Sequence, residues 1–140
     1  MKRLRIGIIG RGFGRRVLAP AFNKAGGEIA TICGRDGWRG IIADPSIDAV
    51  AIAVPPCAQP PIALSAIACG KALFCEKSLA GNTSQARRLC MAAARAKIPA
   101  IIDFEFPETP AWQKAKGLIT GGSLGRLRHA VITWQIENHS

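Results

Sequence analysis

Four stretches of this 140-residue chain carry residue types whose spacing could do chemistry. The first is Arg5-Ile6-Gly7-Ile8-Ile9-Gly10-Arg11-Gly12-Phe13-Gly14-Arg15-Arg16, where a β-branched run breaks into closely spaced glycines and then turns basic. Ile6, Ile8 and Ile9 are stiff at χ1 and favour a buried strand, whereas Gly10, Gly12 and Gly14 permit positive φ and let backbone approach a ligand. A strand, a tight turn and a helix start in that order present amide N–H groups to a phosphate, and a dinucleotide pyrophosphate is the expected ligand. The second is Gly34-Arg35-Asp36, at the end of the strand-like run 28–33. In a dinucleotide fold this end faces the adenosine ribose, where an acid binds the 2′-hydroxyl of NAD and an arginine accommodates the 2′-phosphate of NADP. Arg35 follows Gly34 directly, so the reading leans to NADP over NAD; otherwise Arg35 and Asp36 are solvated loop charges. The third is Val54-Pro55-Pro56-Cys57, at the exit of an apolar strand, where ligands collect in open α/β sheets. The fourth, Glu76-Lys77-Ser78, lies at the tip of a further strand.

The elements that must position these residues follow from hydrophobic period and punctuation. Strands are predicted at 4–9, 28–33, 49–54, 72–75 and 100–103, and helices at 15–25, 60–68 and 83–97. A short helix falls within 37–44, closed by Asp44-Pro45, and another opens at Pro110 and stops at Gly121-Gly122. Asn82 to Gln85 supply the cap of the long helix. Apolar and polar residues alternate from Leu127 to Ile136, which predicts a last strand. The count is β-α-β, a short helix, then β-α-β-α-β-α-β, an alternation that calls for an α/β parallel sheet with right-handed crossovers.

Composition narrows the classes. An apolar fraction of 49% with 20% charged residues fits a globular protein. The 19 Lys and Arg against 9 Asp and Glu give a charge of +10, which implies an anionic partner. The cations stand in ones and pairs with little aromatic interleaving, which argues for no nucleic-acid partner. Five cysteines without C-x-x-C spacing or clustered histidines suggest neither a disulfide frame nor a metal site, so a reducing cytoplasm is expected. The run of uncharged residues 49–70 is cut by Pro55-Pro56 and Pro60-Pro61, which argues against a membrane span.

Taken together, Ile6-Gly7-Ile8-Ile9-Gly10-Arg11-Gly12-Phe13-Gly14, the downstream Pro20, Asp44-Pro45-Ser46-Ile47-Asp48-Ala49-Val50, Pro55-Pro56 and Cys75-Glu76-Lys77 resemble the N-terminal domain of the Gfo/Idh/MocA oxidoreductases. The resemblance implies a Rossmann-type doubly wound parallel sheet that binds NAD or NADP. Gly10, Gly12, Phe13 and Gly14 would hold the pyrophosphate, with Arg15 beside them. Val54, Pro55 and Pro56 would line the path from adenine to nicotinamide. Lys77 matches the lysine of the family's Glu-Lys-Pro motif, where an ammonium stabilises developing alkoxide charge or relays a proton during hydride transfer; otherwise it is an exposed loop lysine. Glu76 reads as its local structural partner. The implied activity is hydride transfer between the nicotinamide and a sugar, polyol or related hydroxyl or keto compound; the alternative is a catalytically silent module that holds a dinucleotide or self-associates.

The departures from the family pattern are equally specific. Arg15 stands where the third small residue of G-x-G-x-x-G belongs, so close helix-to-strand packing must rest on Gly14 or on a shifted register. Cys57 stands where a histidine is common, and Ser78 replaces the motif's proline. After Asp36 roughly twenty residues are absent that would form a helix and the edge strand 3 of the order 3-2-1-4-5-6. The expected boundaries are a Rossmann domain at 1–122 and, at 123–140, the start of a substrate domain. Its first strand, 127–136, would be an orphan, exposing Trp134 and Ile136 and favouring a homo-oligomer. A small-molecule substrate is expected only for a chain completed by that domain.

Overall fold

In the computed structural model, which describes residues 3–133 and 135, the central strands of the sheet are covered by helices on both faces. Five strands, β1 (Arg5–Ile9), β2 (Glu28–Cys33), β3 (Ala49–Ile52), β4 (Ala72–Glu76) and β5 (Ala100–Asp103), form a parallel sheet in the order β2-β1-β3-β4-β5. Between them run α1 (Ala19–Lys24), α2 (Trp38–Ala43), α3 (Gln59–Ala68) and α4 (Thr83–Ala96). The two-residue period of each strand divides the core in two. Ile6, Ile8, Ala49 and Ala51 pack with Leu18 and Ala19, whereas Ile9, Val50, Ile52 and Cys75 pack with Ile41, Ile42 and Ile62. Burial on both faces is why β3, and β1 after Arg5, carry no polar side chain. Phe22 and Phe74 close the first layer edge to face, with ring centroids 5.0 Å apart.

The strand order is the doubly wound order without its edge strand, so β2 is itself an edge, and its residues are only half-buried or exposed. The chain returns from Cys33 to Ala49 through α2 alone. Gly7 makes this short path possible: a methyl group added there would lie 2.4 Å from Ile41 Cγ2, so α2 rests directly on the β1 backbone. Lys71, 7% exposed, then donates from Nζ to the carbonyls of Asp44 and Ile47 at 2.7 and 2.8 Å, tying the turn before β3 to the start of β4.

Three predicted elements differ by more than a one-residue shift of their ends. The helix expected at 15–25 begins as a π-turn at Gly14–Leu18 and becomes α-helical only at Ala19. β3 ends at Ile52, because Val54 already follows the sheet exit toward Pro55. The alternation at 127–133 produces no strand, and Trp134 and Ile136 lie outside the described residues. Alternating polarity specifies which side chains share a face, but a strand also requires a neighbour for its N–H and C=O groups.

The chain divides into two compact units, residues 1–104 and 105–140. In the second, a 3₁₀ turn at Phe106–Glu108 leads to α5 (Pro110–Thr120), whose first residue is a proline at a position where a missing N–H costs nothing. The sheet and every residue singled out for chemistry belong to the first.

Candidate functional site

Because the strands are parallel, their carboxyl ends share one edge, and the register aligns Cys33, Ile9, Ile52 and Cys75 across it. All four chemistry-bearing stretches leave the sheet at this edge. The order reverses direction at β1, with β2 on one side and β3 on the other, which is the switch point where open α/β sheets bind ligands. Three strand spacings, about 14 Å, separate the tip of β2 from that of β4. Only an elongated ligand reaches both.

The three glycines of the turn do different work. Gly10 has φ +133°, and a Cβ there would lie 2.2 Å from the Ala53 carbonyl oxygen, while its N–H donates to Cys33 O at 2.9 Å. Gly10 thus locks the turn between the ends of β2 and β3. Gly14 is buried, and a Cβ there would meet Ile8 Cγ2 at 2.7 Å. It supplies the close helix-to-strand contact in place of position 15, and the π-turn that begins with it is the shifted register. Gly12 differs from both: a Cβ there meets nothing within 4 Å. The protein's own packing does not require glycine at this position, whereas a phosphate seated on the backbone does. Phe13, at the helix start, is exposed and provides no side-chain cap, which leaves the first N–H groups of the helix for an anion.

Arg15 is exposed and, with Arg11 and Ile32, lines a polar cleft of about 410 Å³ beside the turn. Arg11 was not singled out in the sequence as a site residue, yet its guanidinium reaches the tip of β2. A methyl group on Gly34 would lie 3.8 Å from Arg11 Nε. Burial pushes the Cys33 thiol above its ordinary value, and the positive charge of Arg11 opposes that shift. Arg35 and Asp36 occupy the exposed turn that follows. The end of β2 therefore presents Arg11 and Arg35 against the one carboxylate of Asp36.

Val54 and Pro56 are half-buried and Pro55 is exposed at the exit of β3, where Ala58 N–H donates to Pro55 O at 2.8 Å and turns the chain into α3. At the tip of β4, Glu76 is buried, Lys77 is exposed and the Lys77–Ser78 peptide is cis. This tip is held from α3: Gln59, wholly buried, donates from Nε2 to Glu76 O at 3.1 Å and to Ser78 O at 2.9 Å. The only sequence signal for Gln59 was an amide-bearing residue in the first turn of an apolar helix. Thus Gly10, Gly12, Phe13, Gly14, Arg15, Arg35 and Asp36 gather on β1 and β2. Glu76 and Lys77 stand apart on β4, and Val54, Pro55 and Pro56 lie between the two groups.

Among the described residues no group of three His, Cys, Asp or Glu side chains could hold a metal ion. An apolar groove of about 330 Å³ between α4 and the β4–β5 strands, lined by Leu73, Leu89, Ala93, Ile98 and Ile101, contains no convergent polar groups. Its chemistry does not compete with that of the edge.

The sequence profile of the GFO_IDH_MocA family, described as an oxidoreductase family with an NAD-binding Rossmann fold, matches residues 34–104. The chain belongs to the Gfo/Idh/MocA oxidoreductase family. It is 34% identical over 117 residues to levoglucosan dehydrogenase of Pseudarthrobacter phenanthrenivorans, covering 81% of this chain and 30% of that protein. Over 157 residues it is 30% identical to the oxidoreductase sll0816 of Synechocystis sp., covering 98% of this chain and 42% of the relative. A crystal structure of an NAD-binding oxidoreductase from Klebsiella pneumoniae superposes with a TM-score of 0.81 at 31% identity, over 88% of this chain and 40% of that one.

The chain thus spans less than half the length of these Gfo/Idh/MocA relatives, and what it shares with them is the NAD-binding Rossmann domain. The Synechocystis alignment is longer than this chain, so the relative carries residues with no counterpart here. That agrees with a Gfo/Idh/MocA sheet reduced to five strands. No helix among the described residues is long and apolar enough to cross a membrane.

Proposed function

We propose that this domain binds NADP in preference to NAD along the carboxyl edge of its sheet. Completed by a substrate domain, it serves an oxidoreductase acting on a sugar, a polyol or a related hydroxyl compound. The observation that carries the reading is Gly12, a glycine whose missing side chain leaves open space at a helix start flanked by Arg11 and Arg15. The residues present fit an extended dinucleotide. The turn 10–14 cradles the pyrophosphate, Arg11 and Arg35 face the adenosine end, Val54 to Pro56 line the middle, and Lys77 stands at the nicotinamide end. Two arginines against Asp36 favour the additional 2′-phosphate of NADP. The dehydrogenase activity in the name of the Pseudarthrobacter relative supports a carbohydrate substrate.

When bound, the nicotinamide supplies or accepts the hydride. The chain's own part is to hold, orient and compensate charge. The amides and arginines beside Gly12 neutralise the diphosphate, and the exit of β3 excludes water along one side. Lys77 donates a hydrogen bond toward the oxygen on which negative charge grows, or passes it a proton.

The test is titration of the chain with NADPH and NADH, followed by nicotinamide fluorescence. NADPH is expected to bind more tightly, Gly12→Val to abolish binding of both while its melting temperature stays close to the parent's, and Arg35→Asp to shift preference toward NADH. Retained affinity in Gly12→Val overturns the cradle, and an unchanged preference in Arg35→Asp overturns its part in the ribose assignment. Binding without turnover on a panel of sugars and keto compounds would make this chain a dinucleotide-holding module.

A further inference from the structure

We infer that Gln59 is a positioning residue for Lys77: from the first turn of α3, its side-chain amide clamps the two backbone carbonyls that flank Lys77 and so fixes where the ammonium is presented. This rests on the proposal that Lys77 works at the nicotinamide end of the site. The two acceptors, Glu76 O at 3.1 Å and Ser78 O at 2.9 Å, belong to the residues immediately before and after Lys77. Both are carbonyl oxygens, which only accept, so the identity of the donating end of the Gln59 amide follows from chemistry. Held at carbonyls on both sides, the backbone path through Lys77 is restricted, even though its own side chain is exposed.

A merely structural role accounts less well for what the amide does with its other atom. Gln59 is 0% exposed, and its Oε1 is buried with no hydrogen-bond partner among the described residues. Burying an acceptor unsatisfied is a cost that an apolar side chain of the same size would avoid. A core position selected for stability alone would carry leucine; a glutamine is needed to deliver two N–H groups to one place. Beyond Glu76 the segment 77–82 has neither strand nor helix to define it, and the clamp is a long-range tether at its start. Gln59 lies 17 and 19 residues from its acceptors and couples the exit of β3, through the start of α3, to the tip of β4.

The test is two-dimensional ¹⁵N–¹H NMR of the full chain, reading the Lys77 and Ser78 amides with and without NADPH. In Gln59→Leu, these two signals are expected to move or broaden without cofactor, while those of Gly7, Val50 and Leu73 in the sheet stay in place. On adding NADPH, Gln59→Leu should keep the response at Gly12 and lose the response at Lys77. Gln59→Glu provides a second variant. A carboxylate facing two carbonyls cannot donate, whereas the protonated acid can, so the pH profile of the Lys77 signal should differ from the parent's, in which the neighbouring Glu76 is the nearest carboxyl in the sequence. Gln59→His, which keeps a ring N–H, should recover part of the parental Lys77 position.

Lys77 and Ser78 signals in Gln59→Leu that coincide with the parent's overturn the clamp. So does a lowered melting temperature with an unchanged Lys77 response to NADPH. Failure of the parent chain to bind NADPH overturns the dinucleotide reading instead, and the signals measured without cofactor still decide whether Gln59 positions Lys77.

Discussion

At the scale of single residues, burial decides which reactive side chains are available. Cys75 lies inside the sheet, and burial pushes its thiol from an ordinary 9.0 to about 12. Cys57, Cys69 and Cys90 are exposed. A chromogenic disulfide reagent at pH 8 should therefore modify those three rapidly and reach Cys75 only on unfolding, which peptide mapping of the labelled chain checks. The sign of the linkage also follows. The folded state holds the proton that the unfolded state releases, so the Cys75 contribution is fully present below pH 9.0 and is lost as pH rises toward about 12. Cys75→Ser should flatten that part of the stability curve, measured by urea unfolding across the range.

At the scale of elements, the glycine turn shows that one motif contains separable demands. Gly14→Ala places a methyl 2.7 Å from Cγ2 of the buried Ile8, which must shift with its neighbours, and should cost about 1–3 kcal/mol, the usual price of overpacking. Gly10→Ala puts a methyl 2.2 Å from a backbone oxygen at φ +133°, where neither partner yields, so its destabilisation should exceed that of Gly14→Ala. Equilibrium urea denaturation of both variants beside Gly12→Val orders them; equal losses at all three positions would contradict the division of roles. Asn82 is the clearest cap: its Oδ1 accepts from Gln85 N–H at 2.9 Å, the bond that a capping asparagine predicts at the start of α4. No local signal marks the π-turn at 14–18. It begins at Gly14, which takes the close approach to the strand one position before the exposed Arg15.

At the scale of the whole molecule, the loss of the edge strand is accommodated by contacts far apart in sequence. Gly7 admits α2 against β1, and Lys71 pins the following turn. In the second unit, considered by itself, Leu124, Leu127, Val131 and Ile132 are 53–78% exposed, a dense apolar surface for so short a stretch. We expect the chain to self-associate through it. Sedimentation velocity over a concentration series should show larger species for the parent and fewer for the double variant Val131→Ser with Ile132→Ser. A monomer in both cases would remove this expectation.

What the sequence determined by itself, once its resemblance to the family had supplied the strand order without an edge strand, was the alternation of strands and helices, the parallel sheet and the edge to which Gly10, Arg35, Pro55 and Lys77 are brought. These follow from two- and 3.6-residue periods and from glycines and prolines acting on their own backbone, and local rules suffice for them. What only the tertiary structure decided is which glycine packs and which stays open, that Arg11 reaches over Gly34, and that Gln59 holds the carbonyls beside Lys77. Each depends on atoms brought together from different strands and helices, and no period along the chain encodes such a meeting. The alternation at 127–133 is the converse case. The pattern is present, but among the described residues it forms no strand, because alternation alone supplies no partner for backbone N–H and C=O groups.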